Sequence, residues 1–379
     1  MFSYWEQQSF LEYDHIIIGS GLVGLNTAIE LVDLFPNHKI LVLERGILPT
    51  GASTKNAGFA CMGSVTELLD DLMHSTEDEV IGLYEKRKKG LELLMQRLDK
   101  DIIDYKKNGS YELISREEIS CLEKIGYLNK LLFDIDRQSS FALANDKIKS
   151  FGFSAAYTTA LIENLHEGEL HTGKMMKALL QLAFSKKIEI KTGAEVTEFH
   201  QGKNHVTVEV TNNFHKPVHF RCKTLSICTN AFTKQLLPDV NLQPGRGQVL
   251  VTKTIHNLPF KGIFHFDKGY YYFREIEGRV LFGGGRNVDF ETEETTHFAL
   301  NEKIQNDLEE KLKTVILPAT PFETDTRWCG IMAFGNKKEP IVKTFSENVF
   351  GAFRMGGMGV ALASTIAQEL AALIKNNLH

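Results

Sequence analysis

Apolar positions form two kinds of run near the start of this chain. Asp14-His15-Ile16-Ile17-Ile18 and Lys39-Ile40-Leu41-Val42-Leu43 are short and nearly continuous, while Leu25 to Leu34 between them has helical spacing. Short apolar runs flanking a helix predict a βαβ unit with buried parallel strands. Further along, residues 66 to 100 predict a helix with Val80, Leu83, Tyr84, Leu91, Leu94 and Leu98 on one stripe. Tyr111–Ile114 predicts a short strand and Cys121–Leu132 a helix. Thr172–Lys186 predicts a helix that buries Met175, Met176, Leu179, Leu180 and Ala183, where the methionines fill core. Ile188–Ile190, the alternating Val206–Val210 and the apolar Thr224–Ala231 predict strands.

From residue 241 to 290 the texture shifts to longer strands rich in aromatics and glycine. Gly269-Tyr270-Tyr271-Tyr272-Phe273-Arg274 and Arg279 to Arg286 read as paired strands lining a pocket. Strand alternation puts Tyr271 on one face and Tyr270 and Tyr272 on the other, so only one set can meet a ligand. Asp289–Glu294 predicts a loop, Asn301–Lys313 a helix, and Ala361–Lys375 a C-terminal helix preceded by Arg354-Met355-Gly356-Gly357-Met358-Gly359-Val360. The class is therefore α/β.

The link between the first strand and helix carries the first chemical signal. Gly19-Ser20-Gly21-Leu22-Val23-Gly24 joins them, and Glu44 ends the next strand about twenty residues on, the spacing of a dinucleotide fingerprint. Gly19 allows a tight turn, Gly21 admits a pyrophosphate to the backbone, and Gly24 lets the helix pack close to the strand. The helix N-terminus suits the phosphates, and Glu44 suits ribose hydroxyls. Gly51-Ala52-Ser53-Thr54-Lys55-Asn56-Ala57-Gly58 follows. Its small residues suit close approach to a long ligand, with Ser53 and Asn56 as donors.

Composition narrows the classes. At 379 residues the chain holds two domains or one interleaved unit. A net charge of −5 argues against a nucleic-acid partner or a polybasic membrane site. No apolar run is long enough to span a membrane, and Met1–Tyr13 lacks a signal-peptide pattern, so the expected location is cytoplasmic. Cys61, Cys121, Cys222, Cys228 and Cys329 include no C-x-x-C, which argues against a disulfide framework, a metal site and a redox pair. Cys61, just past the glycine loop, reads as a buried small hydrophobe. No second complete fingerprint accompanies Gly283–Gly285 or Gly356–Gly359. One FAD reduced by an organic substrate is therefore preferred over nicotinamide chemistry.

The order G-x-G-x-x-G, E-R, G-A-S-x-x-N-A-G resembles the D-amino-acid oxidase superfamily of FAD-dependent amine oxidoreductases. Pro244-Gly245-Arg246-Gly247-Gln248, Trp328-Cys329-Gly330 and the glycine turn at 356–359 resemble its later motifs. The resemblance implies a Rossmann-type FAD-binding domain (1–85, 145–235 and 325–379). It implies, interleaved with this, an α+β substrate domain (86–144 and 236–324) on a mostly antiparallel sheet. FAD would meet Gly19, Gly21, Leu22, Val23, Gly24, Glu44, Arg45, Ala52, Ser53, Asn56, Ala57 and Gly58. It would also meet the backbone of Val196, then Thr229, Asn230, Gly330, Gly356, Gly357, Met358 and Gly359.

The implied chemistry is oxidation of a C–N bond of an amine or amino acid by hydride transfer to flavin N5, with oxygen or another acceptor completing the cycle. Arg286 and Arg354 are the candidate carboxylate anchors and Tyr271 a polar wall. Departures qualify the substrate. Positions that carry a lysine after the last G-x-G, a carboxylate-binding arginine and an oxygen-linked lysine in relatives fall at Ala361, Met332 and Phe282. No cysteine occupies the position near Ile331 that carries a covalent flavin in relatives. Noncovalent FAD and a substrate other than sarcosine or glycine are thus expected, with oxidase and dehydrogenase behaviour both open. Two alternatives stay open. One is oxidation of a 2-hydroxy acid with a histidine such as His265 as base; the other is a non-catalytic FAD-holding or tRNA-modification-associated module.

Overall fold

The apolar run Ile16–Ile18 lies at the centre of a parallel sheet and is buried on both faces, as are Leu41–Leu43 beside it. The computed structural model describes residues 2–212 and 215–378. Strand Glu12–Ile18 pairs in parallel with Ile40–Glu44 on one side and with the end of His215–Ile227 on the other. Val349–Phe353 and Ile341–Ser346 extend one edge, and Glu189–Thr192 extends the other. Val206–Asn212 and Glu195–Gln201 add to His215–Ile227 as antiparallel strands. Helix Leu22–Leu34 covers one face and packs on the C-terminal helix Gly359–Asn377, which also packs on Glu77–Arg97.

A second eight-stranded sheet stands against this unit. It runs in the order Thr324–Phe334, Gln243–Thr252, Arg279–Gly284, Tyr271–Ile276, Ile263–Phe266, Ser110–Ile114, Ala160–Asn164 and Phe141–Leu143. All its pairings are antiparallel except that of Ile263–Phe266 with Ser110–Ile114. One face packs an aromatic core of Phe264, Phe266, Tyr271, Phe273 and Phe282 with Ile304 and Leu308 from helix Glu302–Lys311. The other face looks toward the glycine loop, where Ala57 and Phe59 meet Val249, Leu281 and Tyr272.

The α/β class with a second, mostly antiparallel sheet agrees with the sequence reading, but the division along the chain differs in three places. Ala160–Asn164 and Thr324–Phe334 pair into the second sheet, although the segments 145–235 and 325–379 were expected with the first. Helix Glu77–Arg97 crosses the expected boundary at residue 86 and spends its apolar stripe on the C-terminal helix. The predicted helix over 66–100 is two helices, Val65–Leu72 and Glu77–Arg97. They are separated where Thr76 caps the second in a reciprocal arrangement with Glu79.

Gly90 sets the spacing of the two long helices. A β-carbon there would lie 1.9 Å from the Ala361 carbonyl oxygen and 2.9 Å from Thr365 Oγ1. Backbone cannot yield as a flexible side chain can. Gly90→Ala is therefore expected to lower stability by about 1–3 kcal/mol despite the better helix propensity of alanine. Urea denaturation checks this, and a stabilised variant would mean that the helices separate freely.

Candidate active site

Each end of the βαβ unit places a polar group at one cleft. Gly19 adopts φ +102°, and a β-carbon on it would lie 2.8 Å from the Cys228 carbonyl oxygen. A β-carbon on Gly24 would lie 1.9 Å from the Gly19 carbonyl oxygen, so glycine is what lets the helix lie against the strand. The N-cap is Gly21, which offers no side chain to the first turn, and the Leu22 N–H donates to Ser53 Oγ at 2.9 Å. Glu44, buried at its strand end, is fixed by three donors. Its Oε2 accepts from Ser20 N at 3.0 Å and Ser20 Oγ at 2.8 Å, and its Oε1 accepts from Gly46 N at 3.0 Å.

These groups open on a cavity of about 520 Å³ that runs between the two sheets. Of the expected cofactor residues, Gly19, Gly21, Leu22, Val23, Glu44, Arg45, Ala52, Ser53, Asn56 and Ala57 line it. So do Val196, Thr229, Asn230, Gly330, Gly356, Gly357, Met358 and Gly359. Two do not. Gly24 acts through helix packing, and Gly58 (φ +75°) turns the chain between the Leu170 carbonyl and Arg274. Asn56 lines the wall but spends its amide on the loop itself, donating to Ser53 O and accepting from Gly58 N and Thr172 Oγ1. Asn230 Oδ1 accepts from the N–H groups of Arg354 and Met355 and so aims the glycine turn. The Trp328 indole donates to Lys55 O at 3.0 Å, tying the second sheet to the loop.

The residues present fit a dinucleotide. A β-carbon at Gly21 would meet Ser53 Oγ at 2.9 Å, and one at Gly330 would meet Lys55 at 3.2 Å, so both glycines keep the trough open. The C-terminal helix also begins without a side-chain cap and points its first turn at the cavity. An acidic group at one end and two uncapped helix starts along the trough are what ribose and pyrophosphate recognition needs.

Beyond the trough the cavity is walled by Tyr270, Tyr272, Phe290, Phe334, Met332, His265 and Arg286. Arg286 lies over the Phe334 ring at 4.1 Å and the Phe290 ring at 5.1 Å. Its guanidinium makes no hydrogen bond or ion pair among the described residues, and its Nε is buried without a partner. Burial pulls its pKa below the usual arginine value, and it remains a cation. Burial also pushes His265 down to about 4, leaving it neutral at pH 7, and Tyr272 up to about 12. Burial works against the Lys338 ammonium, but Glu67 and Asp71 outweigh it and hold its pKa above the lysine norm.

Two expectations are corrected. Tyr271 turns to the aromatic core, stacked on Phe266 at 4.9 Å, and its hydroxyl donates to Asp307 at 2.7 Å; it does not reach the cavity. Alternation had separated it correctly from Tyr270 and Tyr272 but did not say which face was core. Arg354 (φ +67°) points away from the cavity and donates to the carbonyls of Glu339 and Asn241. Phe334, Phe290, Glu67 and Lys338 were missed, because nothing local marks them; strand pairing and loop packing bring them to the wall.

A fold with one dinucleotide trough facing a substrate-sized chamber defines a flavin- or nicotinamide-type oxidoreductase. The chain belongs to the DAO family of FAD-dependent oxidoreductases, whose model matches residues 14–373. Similar solved structures include L-proline dehydrogenase from P. horikoshii, at 16% identity over 97% of this chain and 94% of that one, with a TM-score of 0.77. Glycine oxidase from Geobacillus kaustophilus is 17% identical over 97% and 95%, with a TM-score of 0.77. L-amino acid deaminase from Proteus vulgaris is 14% identical over 96% and 94%, with a TM-score of 0.73. A segment of 37 residues is 43% identical to L-2-hydroxyglutarate dehydrogenase of Escherichia coli, spanning 10% of this chain and 9% of that protein. Among the described residues no helix is long and apolar enough to cross a membrane, and no three potential ligands gather as a metal cluster.

Glu44→Ala should weaken FAD binding by about 1–3 kcal/mol, the scale for charged hydrogen bonds left unmade. Equilibrium titration of the apoprotein with FAD measures this, and unchanged affinity would remove Glu44 from the ribose. Arg354→Met should alter FAD affinity and substrate kinetics little, since its guanidinium serves the Glu339 and Asn241 carbonyls; a large loss with intact folding would return it to the site.

Proposed function

We propose that this protein oxidises a C–N bond of an amino acid or amine, using FAD bound noncovalently in the trough. The observation that carries the reading is Arg286, a cation on the chamber wall held by two aromatic faces and making no ion pair among the described residues. A half-buried guanidinium whose Nε is buried without a hydrogen-bond partner is costly, and a substrate carboxylate would relieve that cost through two parallel hydrogen bonds. When bound, FAD would supply the acceptor for the hydride, with its two electrons, that leaves the substrate carbon. Gly21, Leu22 and Ser53 would hold its phosphates, Glu44 its ribose, and the turn at Gly356–Gly359 its ring. Arg286 fixes the angle of the reacting C–H, while Tyr272, Phe334 and Met332 exclude water from it.

Noncovalent binding is supported by the state of the nearby thiols. Cys61 and Cys228 line the cavity, and burial raises both, Cys228 to about 12, so neither offers the thiolate that attachment requires. Oxygen or another acceptor would then take the electrons onward. One observation favours a second reading. His265 stands neutral on the chamber wall, where a ring nitrogen can accept a hydrogen bond from the hydroxyl of a 2-hydroxy acid.

Acid precipitation is expected to release all the flavin into the supernatant; colour kept in the pellet would refute noncovalent binding. Arg286→Met should retain the flavin spectrum but slow anaerobic bleaching by the active amino acid on the order of 10²-fold, as for misplaced reactants. The matching amine without a carboxylate should be nearly unaffected. Bleaching by a 2-hydroxy acid and by no amine or amino acid would select the second reading.

A further inference from the structure

Behind the chamber wall lies a second, much smaller cavity of about 10 Å³, the space of one water molecule. Ser110, Glu112, Asn164 and Glu167 line it, and among the described residues His265 alone lines both it and the chamber. Strand register explains the arrangement. His265 stands opposite Tyr272 on one neighbouring strand and opposite Glu112 on the other, so the three side chains form a row across the sheet face. Asn164, opposite Ser110 in the next pairing, is 6% exposed, and its Nδ2 has no hydrogen-bond partner. A buried amide facing a polar cavity of this size calls for a water.

We propose that a water held here by Asn164 joins His265 to Glu112, forming a proton path from the substrate chamber into a buried carboxylate. The inference rests on the C–N reading, in which a bound ammonium must lose a proton before its carbon can release hydride. The neutral His265 takes that proton as the nitrogen regains its lone pair. Protonated His265 then donates to the water, which gives one of its own protons to the Glu112 carboxylate, leaving His265 neutral again and Glu112 as the acid. Release to solvent through the chamber after product departure resets the path.

The direction of the second transfer, from His265 to Glu112, follows from the surroundings, and Glu112 draws off the proton that His265 holds only in passing. Burial depresses His265 to about 4, with Glu67 opposing weakly, so it does not retain a proton at neutral pH. Burial raises Glu112 to about 7, against donation from Thr66 and Ser64 and with Glu118 adding to the rise. Glu167 is likewise lifted to about 7 by burial while accepting from Ser110 Oγ and the N–H groups of Met62 and Gly63. Among the described residues the other groups facing this cluster are Glu67 and Arg87, paired with each other, Lys338, paired with Glu67 and Asp71, and Cys61, Cys121, Tyr84 and Tyr105, which burial keeps protonated. Glu112 acts through His265 and is a positioning residue for the proton, not one that touches substrate.

The test uses the FAD-loaded protein. Its substrate-free infrared spectrum should show a carboxylic-acid carbonyl band appearing as pH falls through about 7, with one component lost in Glu112→Gln. Anaerobic flavin reduction by the active amino acid should accelerate as pH rises through about 7, where Glu112 ionises. In Glu112→Gln that rise should vanish and the rate above neutrality fall on the order of 10²-fold, the low end for a lost proton acceptor. Asn164→Leu should exclude the water, reproducing the kinetic loss while keeping the infrared band. Parental pH profiles in both variants would overturn the path. The infrared arm needs no substrate: with no Glu112-dependent titration the path falls, whatever the substrate proves to be. Failure of every amine and amino acid to bleach the flavin, with the infrared titration present, refutes the C–N reading instead.

Discussion

The contact of Gly24 with the Gly19 carbonyl is the constraint from which the rest of the molecule follows. With no side chain between them, helix Leu22–Leu34 lies directly on strand Glu12–Ile18, and its uncapped first turn is driven into the cleft at the strand end. Any larger residue would lift the helix and carry the open N–H groups away from the place where Glu44 and Ser53 converge. The C-terminal helix repeats the device from the other side, and Gly90 keeps it pressed inward. Two helix starts thus meet one trough because glycine permits backbone to touch backbone.

Besides the apolar packing of Ala57 and Phe59, the second sheet is held to that trough through polar contacts to main chain. Arg274, almost fully buried, donates to the carbonyls of Ala57, Gly58 and Leu170 and lies 3.5 Å from Glu169. Trp328 adds its indole donor to Lys55 O. Burial lowers the Arg274 pKa, with Glu169 opposing, yet guanidinium remains charged and binds carbonyls more strongly than a neutral donor would. These bonds fix the chamber relative to the cofactor loop, so Arg286 and the reacting end of the trough share one frame.

What was legible in the sequence was local. The fingerprint, the glycine loop and Glu44 lie within a few dozen residues, and their spacing alone assigns turn, helix start and acidic strand end. Arg286 was legible as a cation ending a pocket strand. Arg354 misled because its left-handed backbone sends the side chain away from the glycines it adjoins. Tyr271 misled because alternation defines two faces and leaves unstated which one a helix will cover. The domain boundaries slipped where Ala160–Asn164 and Thr324–Phe334 choose partners far away in the chain. His265 beside Glu112 is the extreme case, a neighbourhood made by one parallel pairing between distant strands.

The position of Val349–Phe353 and the helix after it bears on how the chain matures during synthesis. That strand completes the first sheet against His215–Ile227, and the helix supplies one wall of the trough and the partner for both Leu22–Leu34 and Glu77–Arg97. An emerging chain therefore has its fingerprint early but exposes the apolar flank of two helices until residues 349–377 have been made and have docked. A chain that lacks those residues has one trough wall missing and leaves apolar helix flanks bare, the kind of surface on which partly folded chains aggregate.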